Sequence, residues 1–74
     1  MTKIELKEII ASLLDDVLFD YNGKHVCINP WSAAKFVVGY GDVVKTYSSI
    51  EMLMEDKIYD GKSLNEIASE ISLL

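Results

Sequence analysis

The sequence contains no arginine, and its acidic residues outnumber its basic ones. Its 74 residues include seven lysines, one histidine and twelve acidic residues, which give a formal net charge of −5. Proteins that bind nucleic acid place lysine and arginine against phosphates, and arginine also recognises guanine through its planar pair of donors. We therefore expect no direct contact between this protein and nucleic acid.

Cysteine is equally scarce, because Cys27 is the only one in the chain. A single cysteine cannot close an internal disulfide, whereas small secreted domains usually depend on several. The first residues lack the order of a secretion signal, and no apolar run approaches the roughly 20 residues that span a membrane. These features predict a cytoplasmic protein with no membrane contact. The small size of the chain favours a bacterial or phage accessory domain.

Apolar residues make up 50% of the chain and charged residues 26%, which is typical of a folded globular domain. A chain of this length buries only about 60% of the surface that its unfolded form exposes, so its apolar side chains must share one core. We expect one small domain over residues 1–74. Gly61-Lys62-Ser63 has the composition of the end of a phosphate-binding loop, but the first glycine and the preceding strand of that motif are missing. The sequence predicts neither a cofactor nor a metal ion.

Three pairs of residues have the spacing of a helix-capping box, in which a hydroxyl and a carboxylate satisfy amides of the first helical turn. The pairs are Thr2 with Glu5, Ser48 with Glu51, and Ser63 with Glu66. The helix that begins at the first pair is expected to end near Asp16, because apolar residues continue at helical spacing. That stripe consists of Leu6, Ile9, Ile10, Leu13 and Val17. The other two boxes predict two short helices in the last third of the chain.

Two hairpins are predicted between the first helix and the last two. Asn22-Gly23 separates two β-prone runs and readily adopts the two positive φ angles of a type I′ turn, which places Asp20 opposite His25. Gly41-Asp42 marks the second turn, but Gly39 and Gly41 also allow a bulge or a one-residue slip that would exchange the two faces. One face of the sheet carries Val17, Phe19, Tyr21, Val26 and Ile28 from the first hairpin, and Phe36, Val38, Tyr40, Val43 and Tyr47 from the second. The expected fold is a single small α+β domain: an antiparallel four-stranded sheet with an N-terminal helix and two C-terminal helices, in the order αββββαα.

The segment between the hairpins contains the only tryptophan and the only proline, Trp31 and Pro30. Proline cannot donate to a strand ladder, so we expect the strand to end at Asn29 and one helical turn to follow through Ala34. Trp31 then lies in a loop. There it acts either as a plug over the open end of the core or as an exposed anchor for a partner.

The second face of the predicted sheet is a candidate binding surface. It carries Leu18, Cys27, Val37, Val44 and Thr46 with the small Gly39, and it is too apolar for ordinary solvent-exposed surface. The three helices either cover both faces or pack on one, and we expect them to cover both. If they pack on one, the other face is an apolar patch of the kind that marks a protein interface or a homodimer.

Asp20, His25 and Cys27 form the only polar group that suggests reactivity, and they share this second face. A carboxylate opposite an imidazole, two residues from a thiol, contains the parts of a nucleophilic triad or of a metal site. Residues two apart on a strand stand roughly 6.5–7 Å from each other, which is far for proton transfer. The interpretation that we favour is a cross-strand pair of Asp20 and His25 beside a half-buried thiol.

These observations favour a non-enzymatic protein-interaction or accessory module. Its partner is another protein or a second copy, bound through the sheet face, Trp31 or the acidic helices. Six of the twelve acidic residues lie in the last 24 residues beside only two lysines, so most of the excess negative charge is expected there. One alternative is a regulatory inhibitor whose acidic surface mimics nucleic-acid charge. Another is a small cysteine-dependent or metal-assisted enzyme built on Asp20, His25 and Cys27.

Overall fold

The helices and strands follow one another in the predicted order. The computed structural model describes residues 1–74. Its helices are α1 (Lys3–Ala11), α2 (Ile50–Glu55) and α3 (Leu64–Ile67), and its strands are β1 (Val17–Tyr21), β2 (Lys24–Ser32), β3 (Lys35–Tyr40) and β4 (Val43–Tyr47). The strands form one antiparallel sheet in the order β1-β2-β3-β4, and a 3₁₀ turn, Ala68–Glu70, follows α3. The α+β class and the αββββαα order are confirmed. No helix has the length and apolar character needed to cross a membrane.

The first hairpin turns where the sequence predicts. Asn22 and Gly23 both adopt positive φ angles, +54° and +79°, as a type I′ turn requires. The predicted register is confirmed, because Asp20 lies opposite His25. The second hairpin also turns at the expected place, with Gly41 at a φ of +58°.

Helix α1 ends at Ala11, so the prediction that it continues to near Asp16 is wrong. Leu13 adopts a left-handed φ of +58°, which a helix cannot contain, and the chain turns there toward β1. Within the helix only Leu6 and Ile10 are buried. The predicted apolar stripe is therefore longer than the buried face of the helix. Its last two residues lie outside the helix: Leu13 is in an irregular connection and Val17 is in β1.

Strand β2 continues through Pro30 to Ser32, so the predicted helical turn over residues 29–34 is wrong. Its pairing with β1 ends at Ile28, and beyond that residue β2 has a neighbour only in β3. Proline is tolerated where a strand has a neighbour on one side only, because its missing amide then leaves no ladder bond unmade. Pro30 lies opposite Phe36, and the register shifts between Pro30 and Ser32.

All three helices pack on one face of the sheet, which we call the inner face. Its buried side chains are Val17, Phe19, Val26, Ile28, Phe36, Val38, Tyr40 and Tyr47. Each helix adds one pair of buried side chains to the same core: Leu6 and Ile10, Leu53 and Met54, and Leu64 and Ile67. Tyr59, Ala68 and Ile71 complete this core. The buried material therefore forms one sheet layer and one helix layer.

Two of the three predicted capping boxes are present. They are Thr2 with Glu5 at α1, and Ser63 with Glu66 at α3. The third prediction is wrong by one residue, because Ser49 rather than Ser48 accepts the bond from the Met52 amide, at 3.2 Å. Helix α2 consequently begins one residue later than the spacing predicts.

Candidate protein-binding surface

The face of the sheet opposite the core, which we call the outer face, is not covered by any helix. It is formed by Leu18, Asp20, His25, Cys27, Asn29, Trp31, Lys35, Val37, Gly39, Val44 and Thr46. Leu18 is 44% exposed and Val44 is 68% exposed, although both are apolar. The expectation that the helices cover both faces is therefore wrong. Each helix has one pair of core side chains, and all three pairs belong to the core that the inner face forms.

One residue from each strand contributes to an apolar row across the outer face. Leu18 lies opposite Cys27, Cys27 opposite Gly39, and Gly39 opposite Val44. A Cβ atom at Gly39 would meet only the carbonyl oxygen of Cys27, at 4.0 Å, so the glycine leaves a shallow gap in the row. The two exposed aliphatic side chains thus flank a lower centre that can receive a side chain from another protein.

Trp31 lies in strand β2 rather than in the predicted loop. Its side chain is 68% exposed, so it does not plug the core. The Lys35 ammonium lies 4.6 Å from the centre of the indole ring, a cation–π contact that restrains the ring. Asn29, Pro30, Val37 and Asp16 line a shallow cleft of about 540 Å³ beside it. Of the two roles predicted for Trp31, this exposed position fits the partner anchor.

The polar group predicted on this face is only partly assembled. The side chains of Asp20 and His25 are hydrogen-bonded across the first hairpin. The Cys27 thiol instead donates to the side-chain oxygen of Asn29, at 3.7 Å. The His25 side chain is 91% exposed, so its contact with the carboxylate is open to solvent. The structure shows the cross-strand pair beside a separate, partly buried thiol, and no group of three or more potential ligands that could hold a metal ion.

Asp56 is bound within the protein rather than displayed on an acidic helix surface. Its carboxylate accepts hydrogen bonds from the Lys45 ammonium at 2.7 Å and from the Tyr47 hydroxyl at 2.6 Å. These bonds hold the pKa of Asp56 below its usual value, because both favour the charged carboxylate. Burial, together with the bond to Asp56, raises the pKa of Tyr47. Asp56 therefore ties the end of α2 to β4.

Asp60 makes a similar connection between the C-terminal segment and the two hairpins. Its carboxylate accepts hydrogen bonds from the Asn22 side chain and, at 2.9 Å, from the Tyr40 hydroxyl, and the Lys24 ammonium lies 3.8 Å away. These contacts, led by the Asn22 bond, hold the pKa of Asp60 below its usual value. Burial and the bond to Asp60 raise the pKa of Tyr40 to about 12.

The C-terminal third has fewer unpaired acidic residues than its composition predicts. Four of its six acidic residues pair with lysines, since Glu51 contacts Lys7 and Glu66 contacts Lys57, in addition to the two aspartates. Only Glu55 and Glu70 make no ion pair there. Sequence reasoning missed these pairs because the partners are at least nine residues apart along the chain, and no local spacing marks them.

Strand pairing places four of the predicted partner-binding residues together on the outer face: Leu18, Cys27, Val37 and Val44. Trp31, at the register shift in β2, lines a cleft with Asn29 and Val37 of the same face. The structure does not bring Cys27 into the weak polar group with Asp20 and His25. No protein-family model, no curated protein and no solved structure matches this chain. The chemistry of its own surfaces is the basis of the function proposed below.

Proposed function

We propose that this protein is a non-enzymatic, cytoplasmic interaction module whose outer face binds another protein. The observation that most supports the proposal is the uncovered apolar row from Leu18 to Val44, with Trp31 exposed beside it. Monomeric soluble proteins rarely expose large contiguous apolar patches, and those that do commonly use them as interfaces. The outer face has this character while the core is already complete without it.

The surroundings of the row have the layout of an interface. The Asp20–His25 pair lies toward one end of the sheet and the Lys35–Trp31 contact toward the other. Protein interfaces combine an apolar centre with a polar rim, and tryptophan often contributes more binding energy than its neighbours. The outer face thus offers a shallow apolar surface with one large aromatic anchor.

Affinity capture with paired variants tests the proposal. Wild-type protein, Trp31→Ala and Val44→Ser serve as bait in parallel, with Met52→Ser as the control, because Met52 is exposed on α2 and lies away from the outer face. We expect partners captured by the wild type and by the control to be lost with both outer-face variants. Identical sets of captured proteins for all the baits would contradict the proposal.

Gly39→Ala provides a finer test of the same surface. The residue lies in β3 with room for a methyl group, so we expect the fold to accept the change. The added methyl fills the gap between Leu18 and Val44, and capture of a partner that inserts a side chain there should weaken. Full capture by this variant would show that the gap has no part in binding.

Sedimentation analysis distinguishes a foreign partner from a second copy. If the outer face binds a second copy, the average mass rises with protein concentration, and Val44→Ser abolishes the rise. If the protein stays monomeric at high micromolar concentration, the partner that binds the outer face is a different protein.

A further inference from the structure

A second surface lies at the β1 edge of the sheet, between α1 and the last residues of the chain. Helix α1, the connection over residues 12–16 and residues 73–74 enclose a cleft of about 650 Å³. Its apolar lining includes Ile9, Leu14, Leu18, Leu73 and Leu74, all of which are exposed. Leu14 is the most exposed of them, at 82%. The cleft is therefore an apolar concavity that the fold itself does not fill.

The rim of this cleft is acidic and contains no lysine. Glu5, Glu8, Asp15 and Asp16 line it together with the apolar side chains. Seven acidic residues of the chain make no ion pair, and these are Glu5, Glu8, Asp15, Asp16, Asp42, Glu55 and Glu70. Four of the seven thus gather around one cleft. The lysines lie elsewhere, where most of them pair with other acidic residues.

The backbone around the cleft determines which conformation a bound segment can have. Phe19 of β1 forms an antiparallel bridge with Leu73, and the Leu74 amide donates to the Leu18 carbonyl oxygen at 3.0 Å. These bonds occupy the part of the β1 edge that faces the cleft, so an extended segment cannot add there as a further strand. A helix satisfies its own backbone and can dock through side chains alone.

We propose that this cleft binds a basic amphipathic helix of a partner protein. Apolar side chains of the helix would contact Leu14, Leu18 and Leu74, while its lysines or arginines face Glu8, Asp15 and Asp16. An acidic helix is repelled by the same rim, and a neutral one leaves the carboxylates near its apolar contacts without partners. This inference rests on the proposed role in protein binding. The cleft borders the outer face, because Leu18 belongs to both surfaces and Asp16 also lines the cleft beside Trp31, but its lining contains neither Trp31 nor Val44.

Synthetic peptides of about 15 residues, long enough to present one helical face, serve as the probes. The first carries leucines at helical spacing and lysines and arginines elsewhere. The second keeps the leucines and replaces the basic residues with glutamate, and the third scrambles the first so that it has no apolar face. Binding is measured by fluorescence anisotropy at about 0.15 M salt, where long-range attraction to net charge is screened. We expect only the first peptide to bind.

Matched variants then locate the binding. We expect Leu14→Ser and the double change Asp15→Asn with Asp16→Asn each to weaken binding by about tenfold or more, as central contacts do. Met52→Ser is the apolar control. Glu55→Gln with Glu70→Gln is the charge control, because it removes the same net charge from acids outside the cleft. Both controls should bind as the wild type does. All of these side chains are exposed, so the variants should fold, and thermal unfolding checks that they do.

Two results would overturn the inference. Equal weakening by the cleft and the control charge variants would mean that the peptide responds to net charge alone. Equal affinity for the glutamate peptide, or no affinity for the basic one, would exclude a site for basic helices. Trp31→Ala and Val44→Ser should leave peptide binding unchanged. The variants that test the outer face, Trp31→Ala and Val44→Ser, lie outside the cleft, so a negative peptide result does not alter the result of partner capture, and the reverse also holds.

Discussion

Both faces of the sheet carry apolar side chains, but only the inner face is covered. Phe19 and Leu18 are adjacent in β1, and the first is buried in the core while the second is 44% exposed. The number of helical core residues explains the difference, because the three helices supply only three pairs of buried side chains. That is enough for one layer against one face. Strand alternation determines which side chains share a face, whereas the length of the helices determines how many faces are covered.

The largest expected effect comes from truncating the two neighbours in β1. Phe19→Ala should cost about 3–5 kcal/mol of unfolding free energy, because it removes a buried aromatic ring and leaves a cavity. Leu18→Ala should cost less than about 1 kcal/mol, because its side chain already contacts solvent. Urea unfolding measures both. Similar losses for the two variants would mean that the outer face is packed as tightly as the inner one.

The covered side also depends on polar contacts, of which the Tyr47–Asp56 bond is the clearest. Tyr47→Phe should lower the free energy of unfolding by about 1–2 kcal/mol, since it removes a hydrogen bond to a charged group. The carboxylate keeps its contact with Lys45 and is partly exposed, which limits the loss. Urea unfolding at neutral pH tests the prediction, and an unchanged midpoint would show that this bond does not stabilise the fold.

Acid should weaken the covered side through the same carboxylates. The Lys45 and Tyr47 bonds hold the pKa of Asp56 below its usual value, and the Asn22 and Tyr40 bonds do so for Asp60. The unfolded chain therefore takes up protons at a higher pH than the folded one, and stability falls as the pH drops through about 4 and below.

The pH dependence can be assigned with one variant. Asp56→Asn should be less stable than the wild type at neutral pH, and its stability should fall less steeply between about pH 5 and pH 3. Unfolding in urea at a series of pH values gives both slopes. Parallel slopes for the two proteins would contradict the role of this carboxylate.

Tyr59 provides a matched control for Tyr47 within the same core. Its hydroxyl is buried and has no hydrogen-bond partner, in contrast to that of Tyr47. Removal of an unsatisfied buried hydroxyl relieves a desolvation cost, so Tyr59→Phe should leave stability unchanged or raise it by up to about 1 kcal/mol. A marked loss of stability in this variant would reveal a partner for the hydroxyl in solution.

The smallest effects on stability are expected on the outer face. Val44→Ser and Gly39→Ala should each change the free energy of unfolding by no more than about 0.5 kcal/mol, because neither residue is part of the core. Both variants are nevertheless expected to impair partner capture. If either variant unfolded the protein, the outer face would contribute to stability as the inner face does, and the proposed difference between the two faces would be wrong.

Local signals in the sequence predicted most of the fold. Asn22-Gly23 determines a turn by its backbone preference alone, and the registers that follow place Asp20 opposite His25. The predictions failed where tertiary context decided the outcome. Pro30 lies in a strand because β1, which begins opposite Ile28, does not extend beside it. Leu13 leaves the helix because the chain must turn toward the sheet.

The sequence predicted which residues form the candidate site, but it did not predict that they are exposed to solvent. Alternation placed Leu18, Cys27, Val37 and Val44 together, and only the packing of the helices shows that this face is open. The acidic cleft was not predictable, because it joins residues near the beginning of the chain with Leu73 and Leu74. The count of charged residues had instead placed the excess negative charge in the C-terminal third, where ion pairs with lysines reduce it.

Trp31 is the only tryptophan, so its fluorescence reports on the outer face without interference. In dilute protein, its emission maximum should lie near that of free tryptophan, and acrylamide should quench it readily. An emission maximum shifted well to the blue and protected from quenching would mean that the outer face is covered in the folded monomer. That result would remove the uncovered sheet face on which the proposed binding function depends.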